Sequence, residues 1–442
     1  MVQTMVARFP LMLRIAAVAG GVVLAGVSCR GVDPAVADRV SAGGYEAGSR
    51  PDALVFSWPE GLGGGKPLGE EEAVVTALWN HPGLQMALAE LGVSRAEVIR
   101  AGQLTNPTLS VFMPSNGRAL EMVSRLPVEA LVLRPARRRA ALLEAEVTAG
   151  KLMQQALDVV RDVRVAWAGI EVADARCEVS GEAGRLMGEL AGLARKRAGA
   201  GEMSVLEAEQ AEAEAHAVAQ EATRLGGEAR LARERLRGLL GMNAGGAPLE
   251  VRGSEVRRRE MPGSEGELVE RGLAVRPDVR TAELAVVAAG ARAKLARSEI
   301  LMVAATGHYR GEEGLQPGID SMSLPLWQRN DGARAAAAAQ LEKVRRGLNA
   351  VREQAAGEIR AARVRVEQAR AVHAGWGPVV REMETVLART RRAVELGDAL
   401  PSAAVEVARR LNETRGRAAE SEGRLREAWA ELERAMGGRL GA

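Results

Sequence analysis

The chain has 442 residues, of which 47% are hydrophobic and 26% charged, yet Phe, Tyr and Trp together make up only 2%. Ala, Val and Leu carry the apolar share, a composition of long packed helices that argues against a conventional globular core and a compact enzyme. The formal net charge is +3, and Arg alternates with Glu along the chain; that reads as a solvated, ion-paired face and argues against nucleic acid as a partner.

At the amino terminus, Arg8 and Arg14 precede an apolar run from Ile15 to Val27. It has the length of a secretory h-region and is too short to span a bilayer, so residues 1–28 read as a signal peptide. Gly26-Val27-Ser28-Cys29 follows and resembles a bacterial lipobox, with Gly26 where Leu is usual. Cys29 is therefore expected to be acylated and to become the first mature residue. Residues 29–69, rich in Gly, Pro and Ala, read as a flexible tether.

The rest of the chain is written twice. His81-Pro82 recurs as Arg276-Pro277, Gly201-Glu202 as Gly397-Asp398, and Leu240-Gly241 as Met436-Gly437, at offsets of 195 or 196. Such anchors imply an internal duplication: a first repeat at residues 70–245, a linker at 246–264 and a second repeat at 265–440. Each repeat reads as an opening helix, a short β-hairpin, a very long helix, a Gly turn and a returning helix.

Proline sets the expected helix limits, because an interior Pro costs about 3 kcal/mol. No Pro lies between Pro135 and Pro248, so a helix is expected from Ala136 to Ala198, roughly 95 Å long at about 1.5 Å per residue. Its apolar period is seven. Leu142, Ala149, Ala156, Val163, Ile170, Cys177, Gly184, Ala191 and Ala198 hold one position, and Ala145, Leu152, Val159, Ala166, Ala173, Ser180, Met187 and Ala194 stand three residues later. That is a coiled-coil seam of small side chains. The returning helix repeats it with Val218, Leu225, Ala232 and Leu239.

Hairpins are expected at residues 108–126, around a Ser115-Asn116-Gly117 turn, and at 300–326. Leu109, Val111 and Met113 alternate with Thr108, Ser110 and Phe112, giving one apolar and one mixed face, as a barrel wall requires. The first hairpin leaves strands of about eight residues, short of the ~9 to 11 that cross a membrane. The long helices are expected to reverse at tips, Gly199 to Ser204 and Leu396 to Pro401. There Gly supplies positive φ, and Glu202, Ser204 and Asp398 are expected to cap the returning helices.

These residues resemble the outer membrane efflux protein family typified by TolC, over nearly all of the chain after residue 70. The opening signature stands as Ala77, Asn80-His81-Pro82, Leu84, Ala96, Ala101, Asn106-Pro107 and Leu109-Ser110. The turn signature stands as Arg197, Gly201-Glu202, Ser204 and Leu206, and the closing one as Leu236 and Leu239-Leu240-Gly241. The resemblance implies a mainly α fold with a small β part. In it, duplicated units assemble as a homotrimer into a periplasmic α-barrel and a twelve-stranded outer-membrane β-barrel.

The function so implied is a passive exit duct of a tripartite efflux system, joined to a periplasmic adaptor protein and an inner-membrane transporter. Adaptor docking falls on the tips, at Gly199, Gly201, Glu202, Ser204, Gly397 and Asp398. The acidic pore gate of relatives matches Ala403 and Glu406, so only Glu406 remains as a candidate. Leu324 to Gly332 is similar to the strand-to-helix corner of the heavy-metal efflux branch, which implies metal ions or other small molecules as cargo. The alternatives are an exported coiled-coil scaffold lipoprotein without a pore, or the duct of a type I secretion system.

Enzyme chemistry and cofactors find no foothold. The cysteines are Cys29 and Cys177, and His81, His216, His308 and His373 stand at no metal-ligand spacing from one another. Gly61 to Lys66 is followed by Pro67 where a phosphate loop needs Ser or Thr. No nucleophile with a base, paired acids or cofactor loop is readable.

Overall fold

The computed structural model describes residues 56–59, 62, 67–113, 120–242, 249–253, 260–261, 263–298, 302–310, 314–323 and 329–439. The expected signal peptide, Cys29, the Ser115-Asn116-Gly117 turn and Leu324 to Gln328 lie outside these residues.

Each repeat opens on two helices rather than one. They are α1 (Glu70–Asn80) and α2 (Pro82–Gly102) in the first repeat. In the second they are α5 (Glu265–Val275) and α6 (Pro277–Ser298). The proline is the cause, since it disfavours the α region for the residue before it while suiting a first helical position. His81 and Arg276 accordingly take extended ψ values of 120° and 129°.

The hairpins are β1 (Thr108–Phe112) with β2 (Glu121–Pro127), and β3 (Met302–Arg310) with β4 (Gly314–Ser323). The long helices are α3 (Val128–Gly199) and α7 (Asp331–Leu396), and the returning ones are α4 (Val205–Leu239) and α8 (Pro401–Ala435). Helix α3 does not wait for Pro135 to pass: it starts at Val128 and takes the proline inside. Pro135 deprives the Leu131 carbonyl of its helical donor, a cost of about 3 kcal/mol that a 72-residue helix absorbs. Helix α7 likewise continues through Pro378.

The chain divides into two compact units that cut across the repeats, one holding 85–154 and 277–354, the other 53–84, 155–276 and 355–442. The first unit carries all four strands in one antiparallel sheet of order β1-β2-β3-β4. Thr108 pairs with Arg125, Pro127 with Ala304 and Met302 with Ser323, so the four strand ends that join helices share one edge of the sheet. In the same unit α3 and α6 approach closely where Gly150 faces Thr281.

The second unit holds the seam. Val159, Val163, Ile170, Met187, Ala191 and Ala194 are buried as the seven-residue period requires, and so are Leu225 and Leu236 on α4. Trp167, off the seam, is buried as well. A second cluster joins Leu268 on α5 to Ile359 and Val366 on α7 and to Leu425, Trp429 and Leu432 on α8. Charge closes the end of the unit opposite the helix reversals: buried Arg276 donates to the Ala435 carbonyl (3.0 Å) and to Glu358 (2.8 Å), and Arg164 pairs with buried Glu433. Part of the expected tether and linker is fixed here too. Ser57 exchanges hydrogen bonds with Asn80, and Leu68 bridges in parallel to Val251.

Candidate functional site

The sheet is the first candidate. Cross-strand partners share a face, so the register sorts the side chains. Leu109, Val111, Met122, Ser124, Leu126, Ala305 and Tyr309 fall on one face; Thr108, Ser110, Phe112, Glu121, Val123, Arg125, Thr306 and His308 fall on the other. The first is mainly apolar, and it is exposed at Leu109 (64%), Val111 and Leu126; the second is mixed, with Phe112 exposed among its polar side chains. On the mixed face His308 Nδ1 stands 3.9 Å from Glu121 Oε1, linking the two hairpins, and the Thr306 hydroxyl donates to the Gly318 carbonyl at 3.2 Å. Neither contact was readable before the register was known. The outer strands β1 and β4 each pair on one side only.

Strand lengths correct the expectation for the first hairpin. β1 has five residues and β2 seven, against nine and ten in β3 and β4. The β2 alternation gives way directly to helix at Val128, and Leu120 precedes rather than joins the strand.

The tips are the second candidate. Gly201 (φ +75°) and Gly397 (φ +85°) both adopt the left-handed conformation. The amides that follow reach back five residues, Glu202 N–H to the Arg197 carbonyl at 2.9 Å and Asp398 N–H to the Ala393 carbonyl at 2.8 Å. Both are Schellman closures, which satisfy carbonyls a helix end would otherwise orphan. The expected side-chain caps are not made. Ser204 holds the cap position of α4 without a side-chain hydrogen bond, and the cap position of α8 belongs to Leu400, followed by Pro401. Glu202 and Asp398 are thus left exposed with Gly199, Gly201, Ser204 and Gly397.

The two tips are packed together. Leu190, Ala191, Ala194 and Met203 share one buried cluster with Val394, Ala404 and Val405. The Arg197 guanidinium crosses from the first tip to donate to the Val394 carbonyl at 2.6 Å. Arg197 was visible in the turn signature, but its partner is a backbone group that sequence does not label. Outside the cluster Val205, Leu206, Leu396 and Leu400 are exposed, an apolar rim around the acidic pair.

Glu406, on α8 beyond the second tip, accepts from Arg409 (3.0 Å) and Arg410 (2.7 Å). Those two guanidinium donors hold its carboxyl at about 2. Among the described residues no helix is long and apolar enough to cross a membrane.

The sequence matches no protein-family model and no curated protein. The fold does have known likenesses. It is similar to CusC, described for conformational changes that accompany folding and transmembrane channel formation, with 17% identity, a TM-score of 0.71, and 84% of this chain and 92% of that one covered. It is similar to the outer membrane protein VceC of Vibrio cholerae at 18% identity and a TM-score of 0.68, covering 84% and 96% of the two chains. The CmeC outer membrane channel of Campylobacter jejuni aligns at 12% identity and a TM-score of 0.69, over 88% of this chain and 91% of that one. The mainly helical chain with a small antiparallel sheet that the resemblance implies is the fold this chain adopts, shared with these channels.

Proposed function

We propose, from a fold held in common with outer membrane channels, that this chain is the outer-membrane duct of a tripartite efflux system, passing small molecules or metal ions out of the periplasm without catalysis. The observation that carries the reading is the sheet: one exposed, mainly apolar face, one mixed face, and two outer strands with a free edge among the described residues. In hydrocarbon an open edge is costly, so a spanning sheet must close. Three copies close it into twelve strands with the mainly apolar face on lipid and the mixed face on the pore. The homotrimer also gives partners to exposed Val364, Val372, Val379 and Val386, which recur every seven or eight residues along α7.

In this reading Cys29 carries the lipid anchor, and the tips at Gly199 to Ser204 and Gly397-Asp398 dock a periplasmic adaptor coupled to an inner-membrane transporter. Glu406 lies at the pore constriction, as an ion-paired cluster with Arg409 and Arg410. Conductance of the purified full chain in planar bilayers tests the duct. A discrete open channel from a trimeric species is expected; a stable monomer that never conducts would exclude it and favour an exported scaffold.

A further inference from the structure

The near-neutral net charge of the chain conceals a strongly basic belt where the helices meet the sheet. The four helix segments next to the strands, residues 95–102, 128–139, 290–298 and 329–337, hold eleven Arg and Lys against three acids, +8 in a chain whose total is +3. All lie in the sheet-bearing unit, and all the belt cations but half-buried Arg137 are exposed. Some are occupied: Arg100 pairs with Glu97, Arg334 with Asp331, and Arg134 donates to the Gly102 carbonyl. Arg138, Arg139, Lys294 and Arg297 find no carboxylate within ion-pair distance among the described residues.

The order of apolar and basic residues along the chain fixes what this belt faces. β2 is too short to cross hydrocarbon alone, but α3 continues it past Glu129 with Leu131 and Val132, 43% and 72% exposed, while Ala130 and Leu133 turn inward and are buried. The next residues are Arg134, Pro135, Ala136 and then Arg137 to Arg139. Exposed Ile99 and Leu104 extend the apolar zone beneath β1 in the same way. Exposed apolar side chains followed directly by a run of guanidinium groups, of which Arg138 and Arg139 have no carboxylate within ion-pair distance among the described residues, match the step from acyl chains to phosphates.

We infer that this belt binds anionic phospholipid headgroups of the leaflet on the helix side of the membrane, with Arg138, Arg139 and Arg297 as phosphate donors. Arginine suits the task, because its fork presents several donors to phosphate oxygens and its charge persists at any relevant pH. The belt lies within about three helical turns of the sheet edge, roughly 18 Å. Its nearest members therefore sit in the headgroup layer and the farthest are within reach of its field. The inference rests on the membrane reading of the preceding subsection.

The test reconstitutes the full-length chain into nanodiscs of equal phosphatidylglycerol and phosphatidylcholine and counts the lipids it retains by native mass spectrometry. Phosphatidylglycerol should exceed phosphatidylcholine by about fivefold among the retained lipids, since each surface arginine favours an anionic lipid by on the order of fivefold, and high salt should erode the excess. Arg138→Gln/Arg139→Gln/Arg297→Gln should bring the ratio toward one, while Lys at the same three positions should keep most of it. Equal retention of the two lipids by the wild type, or an unchanged ratio in the Gln variant, would overturn the inference alone. A wild-type chain that embeds in neither lipid would instead overturn the membrane reading itself.

Discussion

His81 and Arg276 occupy one place in the two repeats, each before the proline that divides the opening helices, and they solve it differently. Arg276 is buried and ion-paired to Glu358; the acid at the matching place in the first repeat is Asp162, already held by Arg161 at 2.6 Å. Burial pushes the His81 imidazole below its usual 6.5, with Asp162 pulling weakly the other way. The folded chain therefore holds fewer protons at His81 than the unfolded chain does. Stability from this site is full above 6.5 and is lost as pH falls below it toward the lowered value. Melting at about pH 5.5 and at neutral pH should show a larger drop for the wild type than for His81→Gln; equal drops would remove His81 from the account. Ser180 offers a simpler case. Its hydroxyl is buried on the α3 seam with no hydrogen-bond partner among the described residues. Ser180→Ala should leave the fold intact and raise stability by about 1 kcal/mol in denaturant titration.

Helices pack closely where a side chain is missing. A β-carbon on Gly423 of α8 would run into the Val172 side chain of α3. Val is β-branched and stiff, so Gly423→Ala should cost about 1 to 3 kcal/mol through overpacking. Gly357 on α7 has nothing within 4 Å of the same atom, so Gly357→Ala should stabilise by about 0.5 to 1 kcal/mol. Chemical denaturation of the two variants would invert that order if propensity rather than packing ruled at Gly423. The same contrast explains what the sequence made legible. Period and Gly turns are local patterns, and they marked the buried seam and the two helix reversals. Trp167 escaped because a heptad says which face is covered, not that a neighbour also covers its flank. The start of α3 escaped because one interior proline removes a single helical hydrogen bond, a loss that the remaining turns of a 72-residue helix absorb. Arg276 and Arg197 escaped because their partners include backbone oxygens, which no residue name announces. The sorting of the sheet faces was legible strand by strand, but the His308–Glu121 link needed the register between hairpins.

On the scale of the whole molecule, the tips are where an acidic pair rimmed by Leu206, Leu396 and Leu400 is left exposed. Because Glu202 and Asp398 contribute only backbone amides to the turns, Glu202→Arg/Asp398→Arg should preserve folding and assembly. Export-dependent resistance and cross-linking to the adaptor should nevertheless fall by at least tenfold if two favourable charge contacts become repulsive. Undiminished resistance in cells making that double variant would clear the acids of any docking role. The sheet imposes a different rule on the population of chains. Among the described residues β1 and β4 each have a strand on one side only, so in the proposed trimer every subunit completes two others and no subunit is spare. A chain unable to pair at one edge would then spoil each ring it joins. If it is made in equal amount with the intact chain and the two mix at random, only about one ring in eight is built wholly from intact subunits. Loss-of-pairing alleles of this gene should therefore be dominant, and the residual export should follow the cube of the intact fraction rather than the fraction itself.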